Sequence, residues 1–229
     1  MALLLEEEER VSVIVLLILL NILLIMINSK SELKFYLAAD LMMNRGFFKK
    51  PILYRIKHWI VRDYVMEYLN AMRKYSFYSQ SGGVISQIKS VFYGLKFKHL
   101  GLKLGFDIGQ DVFGYGLLIP HYGSIVVGNS NRIGNYAVLF TSTCISSNGK
   151  QIGDAMYLAT GAKLTSKLTL GDNVSIAANS VVTKSFGSNI VLVGMPAVVK
   201  KNESAWYERD GFAYRVKAIE KLKSEMGIH

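Results

Sequence analysis

Apolar residues recur every six positions along the middle of the chain, from Val127 to Phe186. A helix repeats its apolar positions every three to four residues and a pleated strand every two, so neither element explains this period. A period of six is typical of a coil with three short faces, about 18 residues per turn and one inward side chain per face. The series slips once, in the loop from Ser146 to Gln151, and its members are Val127, Ile133, Leu139, Ile145, Ile152, Leu158, Leu164, Leu170, Ile176 and Val182.

The fourth residue after most of these aliphatics is also small or apolar. These residues are Ala137, Thr143, Met156, Ala162, Leu168, Val174, Ser180 and Phe186. Small side chains fit the tight corner beside each inward aliphatic. A sandwich of short strands is the alternative, but it requires turn-rich gaps about every 8–12 residues. The pattern therefore favours a mainly β domain built as a triangular coil.

The segments on either side of the coil have helical patterns. Ser31 is predicted to cap a first helix, and a second covers Arg62–Tyr75. A break at Ser81–Gly83 precedes a third, basic and aromatic helix from Val84 to about Leu100. Ala213–Met226 is predicted to form a closing helix, because a solenoid leaves an open apolar end that needs a cover.

An apolar run occupies residues 11–27. Four glutamates precede it (Glu6–Glu9), whereas a secretory signal begins with basic residues, so cleavage and export are excluded. Lys30 and Lys34 follow the run and predict that the rest of the chain stays cytoplasmic. Three interpretations of the run remain: a membrane-anchoring helix at the inner face of the membrane, an extension ahead of a true start at Met26, and a packing or oligomer helix.

The net charge of +10 concentrates in residues 49–103 and at Lys200 and Lys201. It predicts a phosphate-bearing ligand or an anionic surface rather than nucleic acid, because no basic and aromatic recognition module is present. Cys144 is the single cysteine, which excludes a disulfide framework and favours a reducing cytosol.

Among the four histidines, only His121 belongs to the coil. A zinc-dependent hydratase on such a coil requires three histidine ligands, so the sequence predicts no metal site. His121 lies in an irregular loop just before the repeat becomes regular, a position that favours function over packing. Because imidazole titrates near neutral pH, it could take a proton from an attacking hydroxyl group.

The stretch FDIGQDVFGYGLLIPHYGSIVVG, the later IGNYAV, and the closing AANSVVTKSF and VGMPA together resemble the serine acetyltransferase branch of the hexapeptide acyltransferases. The resemblance covers about residues 105–201. It implies a left-handed parallel β-helix, a homotrimer, and transfer of acetyl from acetyl-CoA to a small-molecule hydroxyl acceptor. It also implies that His121 is the general base and that Asp107 orients it.

In that family acetyl-CoA binds in a groove between the coils of two subunits. The resemblance assigns Thr160 to the pantetheine arm, Ala178, Thr183 and Lys184 to further cofactor contacts, and Lys201 to the phosphates. Small side chains along the arm and lysines at the phosphate end suit a long, thin, anionic molecule. No metal is implied.

Pro120, Phe140 and the short helical region depart from the serine acetyltransferase pattern. Pro120 replaces an acidic residue that helps to hold the amino-acid substrate, so the acceptor is expected to be either serine or a sugar. A non-catalytic trimeric scaffold at the membrane is the alternative function.

The sequence predicts four regions. They are an apolar leader at 1–28, a helical region at 29–104, the β-helix acetyltransferase domain at 105–201, and a helical tail at 202–229.

Overall fold

The computed structural model describes residues 27–228, so the predicted apolar leader lies outside the described residues except for Ile27 and Asn28. Within residues 27–228 four helices precede the coil: α1 Lys30–Arg45, α2 Ile52–Ile60, α3 Tyr64–Gln80 and α4 Val84–Leu104. Two follow it: α5 Trp206–Arg209 and α6 Ala213–Glu225. Among the described residues no helix has the length and apolar character needed to cross a membrane.

The strands between these helices form a three-sided parallel coil. They are β1 Phe106–Ile108, β2 Ile125–Val127, β3 Arg132–Ile133, β4 Val138–Leu139, β5 Thr143–Ile145, β6 Gln151–Ile152, β7 Tyr157–Leu158, β8 Lys163–Leu164, β9 Thr169–Leu170, β10 Val174–Ile176, β11 Val181–Val182, β12 Ile190–Gly194 and β13 Ala197–Asn202. The first face contains β1-β2-β5-β8-β11, the second β3-β6-β9, and the third β4-β7-β10-β12-β13. Residues one turn apart lie side by side, as in the pairs Ile152 with Leu170 and Leu158 with Ile176.

The core of the coil consists of the residues that the period of six selects. All ten inward aliphatics are buried, none more than 5% exposed. The small residues beside them are buried as well, except for Phe186, which is partly buried. The prediction of a coil with one inward side chain per face is therefore confirmed.

The first helix begins two residues earlier than predicted. Ser29 rather than Ser31 is its N-cap, and the Ser29 hydroxyl accepts a hydrogen bond from the backbone N–H of Glu32 at 3.0 Å. The Glu32 carboxylate in turn accepts from the backbone N–H of Asn28 at 2.6 Å. A serine followed three residues later by a glutamate forms a reciprocal cap, which Ser31 lacks because Lys34 stands at that spacing.

The closing helix forms where predicted but does not cover the last turn of the coil. Ile219 of α6 is fully buried in a cluster with α1 and the first turns. Arg215 donates a hydrogen bond to the Met43 carbonyl of α1 at 2.6 Å. At the last turn, β12 pairs instead with the antiparallel strand β13. The closing helix therefore covers the side of the coil, and the β12–β13 hairpin extends its final face.

Candidate functional site

His121 lies at the corner where the chain passes from the third face to the first. Thr141, Thr160 and Ala178 occupy the same corner on the following turns, because each stands two residues after the paired series Leu139, Leu158 and Ile176. The Thr141 carbonyl accepts from the N–H of Gly161 at 3.1 Å, and the Thr160 carbonyl from Asn179 at 3.0 Å. We call His121, Thr141, Thr160 and Ala178 the His121 edge.

The His121 edge is open to solvent. His121, Thr160 and Ala178 are exposed, and Thr141 is partly exposed. Successive turns of a parallel coil stand about 4.8 Å apart, so the edge is a row of small side chains with an imidazole at one end. The structure thus brings together three of the residues that the sequence predicted for the site.

The loop that carries His121 is fixed to the end of α4. The N–H of Gly123 donates to the Leu104 carbonyl at 2.9 Å. Gly105, the next residue, has a φ of 76° and lies so close to Gly123 that a Cβ there would stand 3.1 Å from its carbonyl. A side chain at Gly105 would therefore push the His121 loop away from the helix.

An aromatic row runs from His121 to the C-terminal helices. The ring centroids are 6.4 Å apart for His121 and Phe140, 5.2 Å for Phe140 and Tyr157, and 6.2 Å for Tyr157 and Trp206. Phe140 is partly buried and packs with this cluster. It therefore supplies an apolar wall beside the imidazole.

A buried ion pair holds the irregular stretch that leads into the His121 loop. Arg73 of α3 bonds to Asp40 of α1 at 2.8 Å, and both side chains are 2% exposed. Arg73 also donates to the carbonyls of Phe113 and Gly114, at 2.7 and 2.6 Å. The guanidinium therefore satisfies two backbone acceptors that no strand partner reaches.

The acidic partner and its neighbour in α1 complete this attachment. Asp40 accepts from the N–H of Leu117 at 3.0 Å. Asn44 donates to the Leu117 carbonyl at 2.7 Å and accepts from the N–H of Ile119 at 3.2 Å. We call Asp40, Asn44 and Arg73 the polar clamp. It fixes the backbone up to two residues before His121.

Asp107 lies in the middle of β1 with its side chain facing outward. It lines a pocket of about 950 Å³ between the first turns and helices α3 and α4. No hydrogen bond joins it to His121 in the described part of the chain, although the bond from Gly123 to Leu104 brings the two segments close. The orienting role of Asp107 stays a prediction.

The remaining predicted cofactor residues lie away from the His121 edge. Thr183 and Lys184 follow β11 and stand at the opposite corner of the first face. Lys184 lies over the ring of Phe186 and forms no ion pair with any described residue. Lys201 lies on β13, and its ammonium group bonds to Glu203 at 2.6 Å. A phosphate would have to compete with that carboxylate.

Sequence reasoning missed two groups in the Asp107 pocket. The Tyr68 hydroxyl and the Arg132 Nε are buried, with no hydrogen-bond partner in the described region. Burial raises the pKa of Tyr68, which keeps the phenol neutral. No local pattern could reveal this pair, because Tyr68 comes from α3 and Arg132 from β3, far apart along the chain.

The sequence has a curated relative in the serine acetyltransferase of Staphylococcus xylosus, with 32% identity over 127 residues, 52% of this chain and 54% of that protein. The chain is similar to the serine acetyltransferases. It spans about half the length of the curated relatives it matches. No family model matches the chain.

Solved serine acetyltransferases share the fold. The Neisseria gonorrhoeae enzyme in complex with serine aligns with a TM-score of 0.56 and 21% identity, over 76% of this chain and 71% of that chain. The Brucella abortus strain S19 enzyme in complex with coenzyme A aligns with a TM-score of 0.54 and 18% identity, over 76% of this chain and 68% of that chain. The predicted resemblance to serine acetyltransferases and the predicted left-handed parallel β-helix are therefore confirmed.

Proposed function

We propose that this protein is an O-acetyltransferase that moves an acetyl group from acetyl-CoA to a hydroxyl group of serine or of a sugar. One observation carries the proposal. The exposed His121 stands at the head of a row of small side chains, Thr160 and Ala178, on an edge of a coil that resembles serine acetyltransferases.

His121 acts as the general base in this proposal. Its imidazole takes the proton of the acceptor hydroxyl while that oxygen attacks the thioester carbonyl carbon. The carbon–sulfur bond then breaks, and the imidazolium returns the proton to the departing thiolate, which leaves as CoA. The transfer is direct, because within the described residues no hydrogen bond joins the hydroxyl of Thr141 or Thr160 to His121, so neither is activated as a nucleophile. Asp107 would orient the imidazole.

The His121 edge suits the shape of acetyl-CoA. Its small, exposed side chains leave room for a long pantetheine arm, and Phe140 gives the reacting end an apolar wall. The related Brucella abortus enzyme binds coenzyme A, which supports the same ligand here. Lys184 has no carboxylate partner in the part of the chain that the structure describes and can bind phosphates, whereas Lys201 must first release Glu203.

Several finer features belong to the same proposal. We expect a homotrimer in which a neighbouring coil completes the cofactor groove. We also expect residues 11–27 to contact the inner face of the membrane, and the chain to divide into the four regions defined from the sequence. Serine as acceptor is supported by the related enzyme that binds serine. Pro120 supports a sugar as the acceptor, because it replaces the acidic residue that helps to hold an amino-acid substrate.

A non-catalytic scaffold is the second candidate, and Phe140 and Pro120 favour it because neither supplies a polar contact for an acceptor. Binding of CoA separates the two. A ligand at a hundred times its dissociation constant stabilises the folded state by about 2.7 kcal/mol, so we expect CoA to raise the melting temperature.

The matched variants are Thr160→Trp on the His121 edge and Thr169→Trp on the second face, both at exposed threonines. We expect Thr160→Trp alone to abolish the CoA shift. CoA release from acetyl-CoA is then measured with serine and with several sugars. No shift at saturating CoA, together with no release for any acceptor, would favour the scaffold.

A further inference from the structure

Helix α2 (Ile52–Ile60) presents its apolar side to solvent, the reverse of an ordinary surface helix. None of its residues is buried. Its large apolar side chains are 56–86% exposed, with Trp59 at 86%. These side chains are Ile52, Leu53, Ile56, Trp59 and Ile60. Their spacing places them on a single stripe of the helix, so the exposed surface is continuous.

The opposite side of α2 is attached to the protein. Tyr54 donates a hydrogen bond from its hydroxyl to Asp63 at 2.6 Å, and its ring packs 5.0 Å from that of Phe47. Asp63 also pairs with Arg45 of α1 at 2.7 Å. The ring of His58 lies 4.1 Å from that of Tyr54. These contacts fix the polar side inward, so the apolar stripe cannot turn toward the core without breaking them.

The segment around the stripe is entirely basic. Residues 46–62 include Lys49, Lys50, Arg55, Lys57 and Arg62 and contain no aspartate or glutamate. Arg55 and Lys57 flank the apolar stripe on its two sides. Lys49, Arg55 and Lys57 make no ion pair within the described residues, so these charges are available to an anionic partner.

We propose that α2 docks on an anionic phospholipid surface and lies in the plane of the headgroups. An apolar stripe that includes a tryptophan and is flanked by lysine and arginine is the chemistry by which interfacial helices bind such a surface. Long basic side chains keep their charges at the headgroups while their stems enter the apolar layer. The helix does not cross the bilayer. This inference is independent of the proposed acetyl transfer and of the leader at 11–27.

The two tryptophans make the docking measurable in the full chain. Trp59 is exposed, whereas Trp206 is 1% exposed and donates its indole N–H to the Tyr136 carbonyl. Emission that shifts to shorter wavelength, and quenching by brominated lipids, would therefore come from Trp59. We would titrate the chain with vesicles of phosphatidylglycerol and phosphatidylcholine, and with phosphatidylcholine alone.

We expect the shift and the quenching with the anionic vesicles only. Ile52→Glu/Ile56→Glu keeps Trp59 as the reporter and should weaken partitioning by about a hundredfold, since two large apolar side chains no longer enter lipid. Arg55→Gln/Lys57→Gln should weaken it about tenfold or more. The control Lys217→Gln/Lys221→Gln removes two exposed charges from α6 and should change nothing.

Three results would overturn the proposal. One is binding of the chain without any change at Trp59, which would locate the membrane contact elsewhere, as in the leader. Another is equal partitioning to neutral vesicles. The third is a drop in sedimentation mass for Ile52→Glu/Ile56→Glu with no effect on vesicle binding, which would show that a second copy covers the stripe. None of the altered side chains is buried, so each variant should fold like the parent protein. The melting temperature of each variant checks this.

Discussion

The regular turns of the coil and the irregular stretch before them differ in what completes their backbone hydrogen bonding. From Val127 to Val182, inward aliphatics stack on the residues one turn away, and all are buried. From residue 112 to 119, helices α1 and α3 hold the backbone through the polar clamp of Asp40, Asn44 and Arg73. His121, the proposed general base, follows the second kind of structure.

This difference shows what an open edge requires. In a repeating coil the backbone hydrogen bonds form between successive turns, so the coil presents a regular wall. The stretch before His121 bonds to the following turn, for example from the N–H of Gly114 to Ile133 and from that of Leu118 to Ala137. Its remaining backbone groups take their partners from helices α1 and α3. Arg73 and Asp40 supply them, which lets the His121 loop have a fixed shape without being a strand.

The clamp should give the largest single loss of stability. Arg73→Ala leaves the buried Asp40 carboxylate unpaired and two carbonyls without a donor, so we expect a loss of about 3–5 kcal/mol in the free energy of unfolding. Urea denaturation measures it. Arg209→Ala, which breaks the exposed pair with Glu203, should cost at most about 1 kcal/mol. Equal costs for the two variants would contradict the role of the clamp.

A truncation inside the regular coil should cost somewhat less. Leu158 is fully buried between Leu139 and Ile176. Leu158→Ala leaves a cavity and should lower the free energy of unfolding by about 2–4 kcal/mol. The control Lys163→Ala alters an exposed, outward position and should change the free energy of unfolding by at most about 0.5 kcal/mol. If Leu158→Ala cost as little as the control, the inward series would not be the core.

The fall in the free energy of unfolding at acid pH should depend on the helices rather than on the coil. Burial opposes the charge of Asp63, but hydrogen bonds from Arg45 and Tyr54 outweigh it and lower the pKa of Asp63 to about 2. Because this pKa is depressed on folding, the stabilisation is present above about pH 4 and is lost as the pH falls toward 2.

Asp63→Asn should therefore remove about 2 kcal/mol at pH 7 and flatten the stability curve between pH 4 and 2. Thermal unfolding across that range measures both effects. Asp172→Asn, at an exposed position on the coil, is the control. A curve for Asp63→Asn that falls as steeply as that of the parent would show that other carboxylates govern the fall at acid pH.

The regular coil could be predicted from the sequence because its information is local. Each inward residue repeats every six positions, so the pattern alone identifies all ten, and the structure buries every one. The position of His121 outside the repeat was equally visible. The start of α1 was missed by two residues because Ser29 and Ser31 both resemble caps, and only the reciprocal bonds through Glu32 decide between them.

The polar clamp and the exposed stripe of α2 could not be predicted, because both depend on contacts between distant segments. Arg73 reaches Asp40 and Phe113 across 33 and 40 residues. No helix over residues 52–60 was among those predicted. Its apolar spacing is that of an ordinary amphipathic helix, and the attachment of Tyr54 to Asp63 shows that its apolar side faces outward. The Asp107 pocket was hidden for the same reason.

The rate of CoA release by His121→Ala, with the acceptor that supports release by the parent protein, tests the central claim most directly. Loss of a general base should lower the rate by at least about a hundredfold, while the melting temperature and the CoA shift are kept. His99→Ala, at an exposed histidine on α4, should keep the parent rate. A His121→Ala rate within about tenfold of the parent would contradict the assignment of His121 as the base.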